Sequence, residues 1–491
     1  MAEPAGVPPL DPSCQPYLSH TKESCKQEGS GDQAARTPEL TRTALAQALS
    51  IASPLERDAR LDCLESDPNL PPGLLRALRA ELAPVACGDA IALPLLEPRR
   101  AELDRSIEDV LIALASAGRL ARLVQRAPEL APPFDKPRFM EFFQATLKPW
   151  IVTQAQAIQE LSLSGVRLSA YAKGVVAIEA GLADMRFVSV VRQVALPKEM
   201  SDDPEVREAY YAALDEALEP RKARGRDAAL VGLREFSNEG ILNDPRLERA
   251  RTLLSEVYSG HRIDALDKLL LPSLPEPPGD STERQLARHL PTFYAGYLLE
   301  GSVLDAPLLR ALLDRGLPRA LTARTDPAKL DPSGRDLLAR AALERGRRYF
   351  KADDFALAAR LSAGDDLRAD RALYHALASS LQGGPRDASE LILRGPQLPT
   401  GALQVAELDR LAAEKKNPNA GLAAFDAAYL LSLAPPPNDT HFWETLAQRF
   451  ESAARALKGP AQKRLARDSS TAAKDTARAL SSAHPNPTRA P

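Results

Sequence analysis

Four cysteines are the residues whose type and spacing most directly imply chemistry. Cys14, Cys25, Cys63 and Cys87 all fall in the first 87 residues of a 491-residue chain, and none follows. An even number gathered in one region favours disulfides, with three connectivities open to them. Pairing Cys14 with Cys25 and Cys63 with Cys87 closes the shortest loops and is the expected arrangement. Each bond would contribute about 2–4 kcal/mol. The alternatives are four partly buried thiols in a cytosolic protein, or a zinc site. The second lacks a C-x2-C pair and has only His20 nearby. Disulfides imply an oxidising compartment. The opening, Met1 to Gly6, has neither the basic region nor the apolar core of a signal peptide. The expectation is a periplasmic or secreted protein whose signal has been removed, with a cytoplasmic location as the alternative.

Other reactive residue types give little. His20, His261, His289, His375, His441 and His484 are scattered, and none is helically spaced from another. Ser19 and Lys22 match S-x-x-K by letter but sit in the expected Cys14–Cys25 loop, away from any buried helix. The carboxylate pairs Asp353/Asp354 and Asp365/Asp366 fall where helix N-termini are expected, which explains them as caps. Phosphate-binding loops, zinc-protease motifs, EF-hand loops and nucleophile elbows are absent from the sequence. No catalytic residue, metal ligand or cofactor site is assigned. Arg221, Lys222, Arg224 and Arg226 form the densest basic patch. After Glu219-Pro220 they read as a turn beyond a helix C-terminus, where the dipole favours cations. Their candidate function is contact with an anionic partner or envelope surface.

The elements that would hold such residues are helices. Ala, Leu, Arg and Glu dominate, aromatics are 5 % and period-2 stretches are rare. The 42 prolines act mainly as punctuation. Thr37-Pro38, Ser53-Pro54 and Asp244-Pro245 each read as an N-cap followed by proline at the first helical position. Helices are expected over 38–52, 54–66 and 71–82, with 84–98 irregular. A longer one spans 101–126, with Leu103, Ile107, Val110, Leu111 and Leu114 on one face. Further helices are expected over 204–218, 227–236 and 245–258. After a proline-rich linker at 271–279, helical pairs run to about 457. Net charge is −3, which argues against a general nucleic-acid binder. No apolar run reaches the roughly 18 residues that a transmembrane helix needs.

This divides the chain into a disulfide-pinned tail (1–36), a helical region with a cysteine pair (37–130), a central helical domain (134–272), a C-terminal helical-repeat domain (280–465) and a disordered tail (466–491). The bias to Ala, Arg, Leu and Pro suits a GC-rich bacterial genome. One segment resembles a tetratricopeptide repeat: Gly346, Tyr349 and Ala358 stand at that family's Gly, Tyr and Ala spacing. Ala342, Arg345, Ser362 and Asp370 depart from it, standing where the motif has Trp, Leu, Phe and Pro. The match covers one repeat length of about 34 residues. The resemblance implies an α-solenoid in the C-terminal half that presents a groove to a protein or peptide.

The expected fold is all-α, a multi-helical array of helix-turn-helix pairs. The expected function is that of a non-enzymatic binding or scaffold protein of the bacterial cell envelope, without nucleic acid or transmembrane segment. The alternative is an envelope enzyme, or enzyme subunit, whose site is assembled from distant residues. A third class, a carbohydrate or lipid binder, would need exposed aromatics or an apolar cavity.

Overall fold

The caps read from the sequence are where the helices begin. Thr37 and Ser53 accept hydrogen bonds from the backbone N–H groups of Leu40 and Glu56, each with proline at the first position. The structure, a computed structural model, describes residues 4–19, 36–99, 102–132, 134–257, 281–299, 306–313, 420–432, 439–458 and 460–483. It also describes most of 315–342 and 405–415, and residue 361. The described residues contain no strand; one isolated bridge joins Ile241 and Gly316. The all-α class holds. No described helix is long and apolar enough to cross a membrane.

The chain forms two compact units. The first takes in Met1–Phe236 and Ser281–Leu298, the second Ser237–Asp280 and Leu299–Pro491. In the first, α1 (Pro38–Ser50), α2 (Pro54–Leu64), α3 (Leu74–Leu82) and α4 (Gly88–Arg99) pack in succession. The central element is α5 (Arg105–Arg122), which packs on α3, α4, α7 (Lys148–Ser164) and α8 (Ala170–Arg192). The expected face is the right one, since Ile107, Val110, Leu111 and Leu114 are buried. A short helix α6 (Lys136–Phe142) and a π-helical turn (Phe143–Leu147) lead into α7. After α9 (Lys198–Ser201) comes α10 (Pro204–Asn238). The helix α11 (Pro245–Val257) belongs to the second unit, and α12 (Thr282–His289) and α13 (Thr292–Leu298) return to the first. Of these, α12 packs on α1, and Phe293 of α13 stacks on Tyr171 of α8 at 4.6 Å.

In the second unit are α14 (Ala306–Leu313), α15 (Arg319–Arg324), α16 (Ala420–Ser432), α17 (Thr440–Ala456) and α18 (Pro460–Ala483). Trp443, Leu446 and Phe450 of α17 are buried with Phe425 and Tyr429 of α16.

Three local expectations are corrected. The stretch 84–98 is not irregular: a 3-10 turn (Val85–Cys87) runs into α4, which contains Pro94. Burial of Ile91, Ala92 and Leu96 outweighs the helix-breaking tendency of that proline. Residues 466–483 are not a disordered tail, because α18 sinks Ala466, Ala473 and Ala477 into the second core. Its Ser470 Oγ donates to the Ala447 carbonyl at 2.9 Å. Third, α10 does not stop at Glu219 but passes through Pro220 to Asn238.

The reason for the last is a glycine seam. Gly174 and Gly181 on α8 face Gly232 and Gly225 on α10, two heptad-spaced pairs in antiparallel register. A Cβ on Gly181 would stand 2.7 Å from the Gly225 carbonyl oxygen, and one on Gly232 would stand 3.2 Å from the Gly174 carbonyl oxygen. Backbones this close leave no room for a side chain. Gly225, read from sequence as part of a turn, is a packing residue in mid-helix.

Candidate functional site

Cysteine chemistry is present, in a different pairing from the one expected. Cys14, on a 3-10 turn (Pro12–Tyr17), is bonded to Cys87, with Cα atoms 5.4 Å apart and a sequence separation of 73. The local pairs Cys14–Cys25 and Cys63–Cys87 are therefore replaced. The cause is the path of the described N-terminal residues, which lie against α2 and Arg79 of α3 and bring Cys14 to the turn before α4. Cys63 is also disulfide-bonded, and Cys25 lies outside the described residues. Arg79 reinforces the attachment. Its guanidinium donates to the Tyr17 carbonyl at 3.2 Å, to both Asp58 oxygens at 3.0 and 3.1 Å, to Glu65 at 3.0 Å, and to Asp62. Burial works against the Arg79 charge. The bonds and fields of Asp58, Asp62 and Glu65 outweigh it and hold the group above the ordinary arginine range.

Upstream of Cys14 the chain runs as a strap over the ends of α5 and α7. Proline fixes its own φ and pushes the preceding residue to extended backbone, so Val7-Pro8-Pro9 is stiffened by covalent geometry alone. Two side chains hold it by its carbonyls. Arg122 Nε donates to the Pro8 oxygen at 3.1 Å, and Gln154 Nε2 donates to the Gly6 oxygen at 2.8 Å. The other guanidinium nitrogens of Arg122 pair with Asp89 at 2.5 and 2.8 Å. Gly6 has φ +89°, and a Cβ there would meet Thr153.

Gln154 is 4 % exposed and holds a second segment as well, because its Oε1 accepts the Val124 N–H at 2.9 Å. Val124 follows α5 with φ +58°. A β-branched residue in the left-handed region is strained by about 1–3 kcal/mol, and such strain persists only where surrounding structure enforces it. Here it turns the chain so that Gln125 and Arg126 border an open groove. The groove has a volume of about 510 Å³ and is lined by Gly6, Pro8, Val124, Gln125, Arg126, Pro149, Trp150, Thr153 and Gln154. That size suits a ligand site, as does the mixture of an apolar wall with a few polar groups. Arg126 is exposed and makes no ion pair or hydrogen bond among the described residues.

Behind the groove, half-buried Trp150 stacks on Phe187 of α8, with centroids 6.4 Å apart and planes 4° apart. On Phe187 lies the Arg221 guanidinium, 5.3 Å from the ring centroid. The basic patch is thus largely occupied inside the fold. Arg221 donates to Asp184 at 3.2 Å, and Arg224 grips the same carboxylate with two nitrogens, one at 2.6 Å. Lys222 lies 3.6 Å from Asp215, and Arg226 donates to Asp227 at 3.2 Å. Burial pushes the Arg221 guanidinium down, and neighbouring Arg224 adds to the effect against the opposing pull of Asp184.

The remaining sequence candidates do not converge on a site. Ser19 Oγ donates to the Gln15 carbonyl, while Lys22 lies outside the described residues. His441 is exposed and 3.9 Å from Glu444, and His289 ends α12. His20, His261, His375, His484, the two aspartate pairs and the tetratricopeptide-like segment from Gly346 to Ala358 lie outside the described residues. Among the described residues no His, Cys, Asp or Glu cluster could hold a metal. Sequence reasoning missed Trp150, Gln154, Val124 and Arg126. The only sequence signal was the irregular proline-rich stretch after α5. Comparison with protein-family models, curated proteins and solved structures finds no match.

Proposed function

We propose that this is a non-enzymatic binding or scaffold protein of the bacterial cell envelope whose first unit holds an extended peptide segment of a partner in the groove beside Trp150. The observation that carries this reading is the strap. The same helix ends already bind one extended segment through side-chain donors to its backbone carbonyls, and the groove continues from that segment with an aromatic wall. Open concave surface of this kind serves recognition, whereas general acid or base chemistry needs an enclosed site with a poised group. The disulfide supports an oxidising location outside the cytoplasm. The tetratricopeptide-like character of the C-terminal half belongs to the same proposal.

Selection of displayed random heptapeptides on the immobilised full-length protein tests the groove. Peptides enriched on the wild-type protein should lose binding to Trp150→Ala and to Gln125→Trp, which fills the groove from an exposed position. Enrichment indifferent to both variants, or no enrichment, would overturn the reading.

A further inference from the structure

The lining of the groove also bears on which peptides it takes. We infer that it selects extended, proline-bearing peptides that place an acidic side chain against Arg126; this rests on the reading of the groove as a peptide site.

Three observations point the same way. First, the surface is already complementary to proline-stiffened backbone. Pro8 lines the groove, and two carbonyls of its segment accept hydrogen bonds, from Arg122 and Gln154. Recognition of this kind favours a ligand that loses little entropy on binding, which proline provides. Second, Pro149 and Trp150 also line the groove, with Trp150 steadied by its stack on Phe187. Aromatic-lined grooves of this composition are the usual seat of proline-rich segments. Third, the groove's charge has one sign. Among the described residues Arg126 is its only charged lining residue. The other arginines close to it are engaged, Arg122 by Asp89 and Arg221 and Arg224 by Asp184. A free guanidinium at the rim favours a carboxylate and disfavours an ammonium.

Calorimetric titration of the full-length protein with three synthetic peptides tests this. The first, acetyl-Ala-Pro-Pro-Glu-Pro-Ala-amide, is the probe; the second replaces Glu by Lys, and the third replaces every Pro by Ala. At low ionic strength the acidic probe should bind at least about fivefold more tightly than the lysine version, the span of one exposed ion pair. The all-alanine version should be weaker again. Arg126→Glu is exposed and should fold, and it should reverse the Glu-over-Lys order. Equal binding of the Glu and Lys peptides, or an order that survives the charge reversal, would overturn the acidic preference while leaving the groove as a peptide site. If no proline peptide binds, but Trp150-dependent peptides emerge from the display selection, the ligand class is wrong and the groove reading stands. If neither experiment gives Trp150-dependent binding, both fall.

Discussion

A valine with positive φ inverts the usual ranking of small residues. In most positions glycine is less stable than alanine, by about 0.5–1 kcal/mol in regular structure. At Val124, alanine would keep the left-handed strain and lose the buried side chain, whereas glycine would lose the side chain and relieve the strain. Val124→Gly is therefore expected to be more stable than Val124→Ala in urea unfolding followed by Trp150 emission. Gln154→Ala should cost about 2 kcal/mol or more, since it strands the Val124 N–H and releases the Gly6 carbonyl. Asp104 supplies a pH-dependent counterpart. As N-cap of α5 it accepts hydrogen bonds from Ser106, which hold its carboxyl below the ordinary range, with a further bond from the Tyr297 hydroxyl. A depressed folded pKa means that its stabilisation is complete above the unfolded value of about 3.9 and is lost as pH falls through the folded value. Asp104→Ala should thus cost about 1 kcal/mol at neutral pH, and the difference from wild type should vanish in acid.

At the scale of elements, the α8–α10 pair shows where local reasoning succeeds and where it stops. Caps at Thr37-Pro38, Ser53-Pro54 and Asp244-Pro245 were legible because the relevant atoms lie within three residues of one another. Asp244, for example, accepts the Arg246 N–H at 2.7 Å. The apolar face of α5 was legible because its period is intrinsic to the helix. Pro94 and Pro220 misled because their cost is local while the packing that overcomes it comes from another helix. Gly225 misled for the same reason, since only pairing with α8 reveals its role. The groove was not legible at all: Gln154 and Gly6 are 148 residues apart, and neither signals the other. The seam gives a direct test. On a free helix Gly→Ala is favourable by about 1 kcal/mol. Gly181→Ala should instead destabilise by about 1–3 kcal/mol, as overpacking does, with a lowered thermal midpoint. Removing both Arg221 and Arg224 should cost more than removing either. One remaining arginine still neutralises Asp184, which is 1 % exposed, and losing both strands a buried carboxylate.

For the whole molecule, the Cys14–Cys87 bond fixes the strap to the first unit. The entropy of closing a loop grows only with the logarithm of its length, so the 73-residue separation is little harder to close than a short loop and stabilises more. Cys14→Ser with Cys87→Ser should cost about 2–4 kcal/mol. The loss should appear in the transition reported by Trp150 in the first unit and not in that reported by Trp443, which is 2 % exposed in the core of the second. The same connectivity bears on how the chain matures. Cys14 and Cys87 are the first and last cysteines in the sequence, with Cys25 and Cys63 between them. On the proposed envelope location, a chain oxidised as it emerges from a translocation channel meets its cysteines in order, so the earliest bond available to Cys14 is the wrong one. Reaching the native pair then requires thiol–disulfide exchange as well as an oxidant. Refolding of the reduced protein should give much more native product in a glutathione buffer holding both redox forms than under strong oxidant alone. Production in a cell should likewise depend on a disulfide isomerase.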